Sequence, residues 1–144
     1  FLFIISGSNT GKYRILQPEH YVCITEVNIN SNLLVCNGKV PPSSEALTHS
    51  AIYSALPSVN FVVHFHNSKI WAQLVNKFPT TNPKAEYGTI ELAKELGLLC
   101  KLLNPQKDNI VVLGGHRDGI VAFAENITTL REKVVNLLDY QKQI

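Results

Sequence analysis

Three histidines are the residues of this sequence whose types and spacing best suit chemistry. His64 and His66 flank Phe65 at the end of an apolar run, and in a strand, residues two apart point to the same face. Two imidazoles pointing the same way suit a divalent ion, and one further histidine would leave a coordination position open for water or substrate. His116 follows a short apolar segment through two glycines, and it is the natural third ligand.

Each of these histidines also has an ordinary structural interpretation. The His-x-His pair can be hydrogen-bonded, residue by residue, within a half-buried strand, and His116 taken alone favours that interpretation more strongly. Of the two other histidines, His20 falls in a polar loop and is predicted to be exposed. His49 lies one helical turn after Glu45, where it either orients that carboxylate or, in the preferred interpretation, packs in the core or at an interface.

Glu45 is the candidate acid and base. Beside a divalent cation, its carboxylate could coordinate the metal or carry a proton to and from a substrate atom. Without a cation, it is a solvated first-turn carboxylate that the helix dipole favours. Glu86, Glu91 and Glu95 are weaker alternatives, because their helical context indicates a charged outer face.

Two segments could hold an anion such as phosphate. Ser43 and Ser44 stand directly before Glu45 at a predicted helix start, where hydroxyls and free backbone N–H groups attract anions. Thr10 and Gly11 end a run of turn-forming residues whose backbone donors could act in the same way. Taken alone, the first segment is only a helix cap and the second only a turn.

Strands and helices must alternate to position these residues. The pattern of apolar residues, caps and Pro or Gly interruptions predicts strands and helices in the following ranges. The strands are expected at 1–6, 21–27, 32–36, 61–66, 110–113 and 120–123, and the helices at 45–56, 68–75, 89–102 and from about 128 onward. This alternation predicts an α/β sandwich.

Composition excludes several classes of function. The chain has 144 residues, of which 45% are hydrophobic and 17% charged, as expected for one compact domain. A net charge of +2 without a run of Lys or Arg argues against nucleic acid, and the apolar runs are too short for the about 20 residues of a membrane helix. Three widely spaced cysteines form no disulfide framework, which favours the cytoplasm.

The motifs, taken in order, resemble those of the class II aldolase and adducin family. The similar stretches span residues 8–11, 42–53, 62–66 and 112–123, so the resemblance covers nearly the whole chain. It implies a three-layer α/β/α sandwich with a central, mainly antiparallel sheet. Residues 1–144 would then form one domain of this type that lacks the family's usual N-terminal helix and first strand.

The resemblance also implies roles for individual residues. The metal ligands would be His64, His66 and His116, the catalytic acid/base Glu45, and the phosphate-binding residues Thr10, Gly11, Ser43 and Ser44. The cofactor would be one divalent metal ion, preferably Zn2+, with Mn2+ or Co2+ as alternatives.

The implied reaction is that of a metal-dependent lyase, which acts through an enediolate on a small hydroxy-carbonyl or sugar-phosphate compound. An epimerase or dehydratase on a similar substrate, and a non-catalytic assembly module like the adducin head, are the alternatives. Family members are commonly tetramers, so the resemblance implies a homo-oligomer. One departure is that Arg117 and Asp118 separate His116 from Gly119, whereas the family usually places Gly directly after this His.

Overall fold

The computed structural model describes residues 2–142, and for residues 140–142 it describes the backbone only. The strands are β1 (Phe3–Ser6), β2 (Tyr21–Asn28), β3 (Leu33–Gly38), β4 (Phe61–His66), β5 (Ile110–Val112) and β6 (Gly119–Ala124). The helices are α1 (Ala46–Ala55), α2 (Ser68–Leu74), α3 (Ile90–Lys101) and α4 (Ile127–Lys142). Each predicted element is present with slightly different ends; the predicted first strand included Phe1, which lies outside the described residues.

Backbone hydrogen bonds join these strands into two antiparallel sheets. One sheet has the order β1-β2-β3 and the other the order β4-β6-β5. The α/β class and the antiparallel pairing are therefore confirmed. The single central sheet of the prediction is divided in two, since β1 and β4 do not pair. Residues of both strands line a cavity of about 510 Å3.

Helix α1 packs against both sheets. Ala46 at its start lies in an apolar cluster with Ile24 of β2, and Ile52 lies in another with Phe123 of β6. Burial of a side chain as large as Ile52 contributes about 1.5–3 kcal/mol to folding. Helix α1 is thus held against β2 at its start and, in its second half, against β6, the strand that pairs with β4.

Side-chain caps set the starts of two other helices. Asn67 accepts a hydrogen bond from the Ile70 N–H (3.0 Å) at the start of α2, and Thr89 accepts one from the Leu92 N–H (3.2 Å) at the start of α3. Both residue types suit this position, since Asn and Thr satisfy free N–H groups at helix starts. No helix among residues 2–142 combines the length and apolar character that crossing a bilayer requires.

Candidate metal centre

Strand β4 places His64 and His66 side by side. Its antiparallel register with β6 sets His64 opposite Val121 and His66 opposite Gly119. Val63 and Phe65, which alternate with the histidines, pack into an apolar cluster. The two imidazoles share the other face, and their Nε2 atoms lie 2.9 Å apart, as the period of a strand predicts.

A short turn brings His116 to the same place. The His116 carbonyl accepts a hydrogen bond from the Gly119 N–H (2.8 Å), so Arg117 and Asp118 form the middle of the turn. Asp118 has a left-handed backbone (φ 67°), which Asp tolerates better than most residues. Its carbonyl accepts from the Asn67 N–H (2.9 Å), and this bond ties the turn to the residue that follows β4.

The three histidines form a cluster that fits one metal ion. Their candidate ligand atoms all lie within 4.8 Å of one another, whereas nitrogen ligands of a tetrahedral Zn2+ lie about 3.4 Å apart for Zn–N bonds of about 2.0–2.1 Å. Side-chain rotations of small amplitude would therefore suffice to close the set. Among the described residues, His64 Nδ1 and His116 Nδ1 are buried without a hydrogen bond of ordinary geometry, so neither ring is committed to a protein partner through that atom.

The protonation of the cluster suits metal binding. The pKa of His64 is lowered to about 3, chiefly by burial and then by the neighbouring imidazoles, of which His116 contributes most. The pKa of His116 is also lowered, by burial and by the charge of His66. Because a metal binds the neutral imidazole, little or no proton release is needed for these two residues at neutral pH.

Glu45 lies against this cluster. It is 3% exposed, occupies the cap position of α1, and has Oε1 3.5 Å from His116 Nδ1. Burial raises the pKa of the Glu45 carboxyl, and the Thr48 hydroxyl and the charge of His66 offset part of this rise. Burial thus disfavours the charged forms of both Glu45 and His116, so their contact is weak as an ion pair.

The remaining histidines play structural parts. His49 is buried, its Nδ1 lies 2.9 Å from the Glu45 carbonyl oxygen, and it therefore braces the backbone rather than the carboxylate of Glu45. The prediction that His20 is exposed was wrong. His20 is half-buried, accepts a hydrogen bond from the Gln17 N–H (3.0 Å), and stacks on the Tyr13 ring, because a local turn folds the loop onto itself.

The weaker carboxylate candidates lie outside the cluster. Glu86 and Glu91 are exposed. Glu95 accepts a hydrogen bond from the Asn82 N–H (2.6 Å), so it fixes a loop. Of the carboxylates proposed from the sequence, Glu45 is the one that contacts the His cluster.

The two predicted anion-binding segments are neighbours. Hydrogen bonds from the Ser43 N–H to the Ser6 carbonyl (3.1 Å) and from the Ser8 N–H to the Pro41 carbonyl (2.8 Å) pair them. Ser43 Oγ accepts from the Glu45 N–H (3.3 Å), so its own O–H remains a donor.

The other residues predicted to bind phosphate differ in whether their polar groups are free to contact an anion. Thr10 is buried and donates its hydroxyl to the Gly7 carbonyl (2.7 Å), which leaves that oxygen only as an acceptor. Gly11 and Ser44 are exposed. Ser43 and His64 both line the cavity of about 510 Å3 between β1 and β4, which connects one predicted phosphate ligand with one predicted metal ligand.

Two residues at the site were missed by sequence reasoning. The Tyr87 ring stacks on His116, with ring centroids 4.9 Å apart, and no motif singles out this loop tyrosine. Gly119 lies where a side chain would meet two of the imidazoles. The comparison with the family pattern mentioned this glycine without assigning it a function, and its role depends on the register of β4 and β6.

Replacing Gly119 by Ala is expected to weaken metal binding by about tenfold or more, a loss comparable to that of a residue supporting metal ligands. A Cβ there would lie 3.1 Å from His116 Cγ and 3.1 Å from His64 Cε1, so the rings would have to move apart. The measurement is a titration of the metal-free protein with Zn2+ by calorimetry.

Gly97→Ala is the matched control for this substitution. Its Cβ would meet Ala51 Cβ of α1 at 3.6 Å, an ordinary contact between α3 and α1, and metal affinity should stay unchanged. Equal Zn2+ affinity of the Gly119→Ala variant and the unaltered chain would contradict the tight packing described around Gly119.

The fold and the cluster together define an α/β protein that presents three imidazoles and a buried carboxylate at the end of an antiparallel sheet. The family model described as Class II Aldolase and Adducin N-terminal domain matches residues 2–140. The chain therefore belongs to the class II aldolase and adducin family, as the order of its motifs predicted.

Proposed function

We propose that this protein is a metal-dependent lyase of the aldolase type. Its substrate would be a small hydroxy-carbonyl or sugar-phosphate compound, which reacts through an enediolate. The observation that carries the proposal is the convergence of His64, His66 and His116 within 4.8 Å, with Glu45 in contact at 3.5 Å. Membership of the class II aldolase and adducin family supports it further.

The three imidazoles would hold one divalent metal ion, for which Zn2+ is the preferred identity and Mn2+ or Co2+ the alternatives. When bound, such an ion supplies a Lewis acid that stabilises negative charge on a substrate oxygen. Glu45 would hold and transfer the proton, since its raised pKa lets the carboxyl both take up and release a proton nearer neutral pH. The lowered pKa values of His64 and His116 keep those side chains in the neutral, metal-binding form.

The cavity between β1 and β4 is the proposed substrate site. Its volume of about 510 Å3 falls within the about 300–1,000 Å3 of small-molecule pockets. Ser43 at its wall keeps a hydroxyl donor for a phosphate group, and Ser44, Thr10 and Gly11 would complete the anion site. A larger cavity of about 600 Å3 between α2 and α4 contains none of these residues.

Two alternatives use the same fold. An epimerase or dehydratase on a similar substrate would need the same metal and the same proton carrier, so product analysis must separate them. A non-catalytic, adducin-like assembly module is the second alternative, and the Arg117–Asp118 turn beside His116 favours it, because it alters the surroundings of a metal ligand.

Elemental analysis of the purified protein is the first test. The proposal expects about one metal ion per chain for a mononuclear site, retained after dialysis or restored by added Zn2+, Mn2+ or Co2+. A content below about 0.1 ion per chain that none of these metals raises would refute both enzyme functions and leave the assembly module. With metal bound, a panel of ketose phosphates assayed for aldehyde products, epimers and dehydrated products identifies the reaction.

We also propose an oligomeric state and a cellular location. On the basis of the family resemblance, the protein would be a homo-oligomer, specifically a tetramer, and sedimentation of the metal-loaded protein tests this. We further propose that the protein acts in the cytoplasm, which the free thiols of Cys23, Cys36 and Cys100 support, since oxidising compartments favour disulfides.

A further inference from the structure

An aromatic ring that no motif assigns covers part of the histidine cluster. The Tyr87 ring stacks on the His116 imidazole, with centroids 4.9 Å apart and 29° between the planes, although Tyr87 is 60% exposed. We propose that Tyr87 is a positioning residue, which holds His116 in the orientation required to bind a divalent metal. The inference rests on the proposed metal site and adds a residue to it.

The segment that carries Tyr87 is bonded to the turn that carries His116. Thr81 Oγ1 accepts a hydrogen bond from the Gly114 N–H (3.0 Å), and the Thr81 N–H donates to the Val112 carbonyl (3.0 Å). Thr81 is itself buried, so these bonds are shielded from water and are costly to break. The beginning of the segment is therefore fixed relative to the end of β5.

Two glycines allow the segment to lie directly against this turn. A side chain at Gly114 would collide with the Thr81 carbonyl oxygen, and one at Gly115 would collide with the carbonyl oxygen of Ala85. Ala85 is buried at this contact. The Gly-Gly pair before His116 thus serves close packing of two backbones.

The other end of the segment is fixed as well. Gly88 follows Tyr87 with a φ of 71°, a conformation that Gly adopts without steric cost. Thr89 then caps α3 and donates its hydroxyl to the Glu86 carbonyl (2.6 Å). Tyr87 consequently lies between two anchored points, and its ring is held over the imidazole despite its exposure.

Stacking adds to a weak polar restraint on His116, whose Nδ1 lies 3.5 Å from Glu45 Oε1. A metal-binding histidine usually donates its second ring N–H to a carboxylate or carbonyl oxygen, which fixes the ring. Among the described residues, no hydrogen bond of ordinary geometry holds His116 Nδ1. The ring contacts with Tyr87 and His64 take the place of that bond.

Titration of the metal-free full chain with Co2+ tests this inference, with the visible absorption of bound Co2+ as the readout. Tyr87→Ala should weaken Co2+ binding by about 3- to 10-fold, the range of one aromatic stacking interaction, and should alter the absorption bands because the ligand geometry changes. Tyr87→Phe keeps the ring and should restore both the affinity and the spectrum.

Tyr13→Ala is the matched control, since the Tyr13 ring also stacks on a histidine, His20, with centroids 4.5 Å apart, and should leave Co2+ binding unchanged. If Tyr87→Ala does not fold, Tyr87→Leu, which keeps bulk without an aromatic ring, replaces it in the comparison. If the variant that lacks the ring has unchanged Co2+ affinity and an unchanged spectrum, the role of Tyr87 is overturned while the metal site stands. The same follows if Tyr87→Phe is as impaired in Co2+ binding as Tyr87→Ala. Absence of Co2+ binding in the unaltered chain would overturn the metal site itself.

Discussion

Replacing Glu45 by Gln is expected to lower turnover by about 10²- to 10⁴-fold, the contribution of a positioned proton carrier, while the metal stays bound. The amide has nearly the same size as the carboxyl but cannot take up and release the proton. The position is suited to this role because Glu45 is buried, has a raised pKa, and lies 3.5 Å from His116 Nδ1. Steady-state rates and the metal content of the same preparation provide the measurement.

Glu91→Gln makes the same chemical change at an exposed position in the first turn of α3, and it should leave turnover unchanged. Full activity of the Glu45→Gln variant would refute the proton-carrier role. Loss of metal from that variant would instead identify Glu45 as a metal ligand and would assign the proton transfer to another group.

Replacing His64 by Ala is expected to remove metal binding almost completely. Loss of a group that merely supports a ligand lowers metal affinity by about 10- to 100-fold. Loss of one of the three ligands should lower metal affinity by more than about 100-fold. His64 belongs to a cluster in which each imidazole ring contacts the other two. Equilibrium dialysis against a buffered series of Zn2+ concentrations measures the change.

His20→Ala is the control for the loss of a histidine outside the cluster, and it should bind metal normally. Circular dichroism of both metal-free variants separates a lost ligand from a lost fold. If the His64→Ala variant binds Zn2+ with an affinity within about threefold of that of the unaltered chain, His64 does not bond the metal directly, because loss of a supporting group alone costs more than that.

The His-x-His pair could be predicted from the sequence because its geometry is local. Alternation along one strand is enough to place His64 and His66 on one face. His116 is different, since its position depends on a turn that is bonded to Asn67 through Asp118. Residue patterns could name His116 as the natural third ligand, and the resemblance to a known family named the same residue, but neither could supply that distant contact.

The burial of helix α1 was only partly predictable. Leu47, Ala51 and Ile52 are buried, as apolar residues at helical spacing should be, and His49 is buried, as its preferred interpretation predicted. Thr48 is buried as well, although periodicity counts such a polar residue as solvent-facing. The reason is that the helix packs against α3 and both sheets. For the same reason, the sequence could not show that Glu45 would be nearly inaccessible.

The division of the strands into two sheets and the position of Tyr87 could not be predicted at all. Strand patterns identify which residues are extended but not which edges meet, so β1 and β4 were assigned to one sheet. Tyr87 lies in a segment whose course is set by the contacts of Thr81 and Ala85 with Gly114 and Gly115, and such contacts leave no periodic signal.

The register of β4 against β6 also constrains the order of events during synthesis of the protein. His64 and His116 are 52 residues apart in the chain, and they meet only through the pairing of β4 with β6 and the turn before β6. A nascent chain that has emerged only as far as β4 contains two imidazoles of the cluster, His64 and His66, but not His116. A metal ion held by all three imidazoles is therefore acquired only after β6 has left the ribosome.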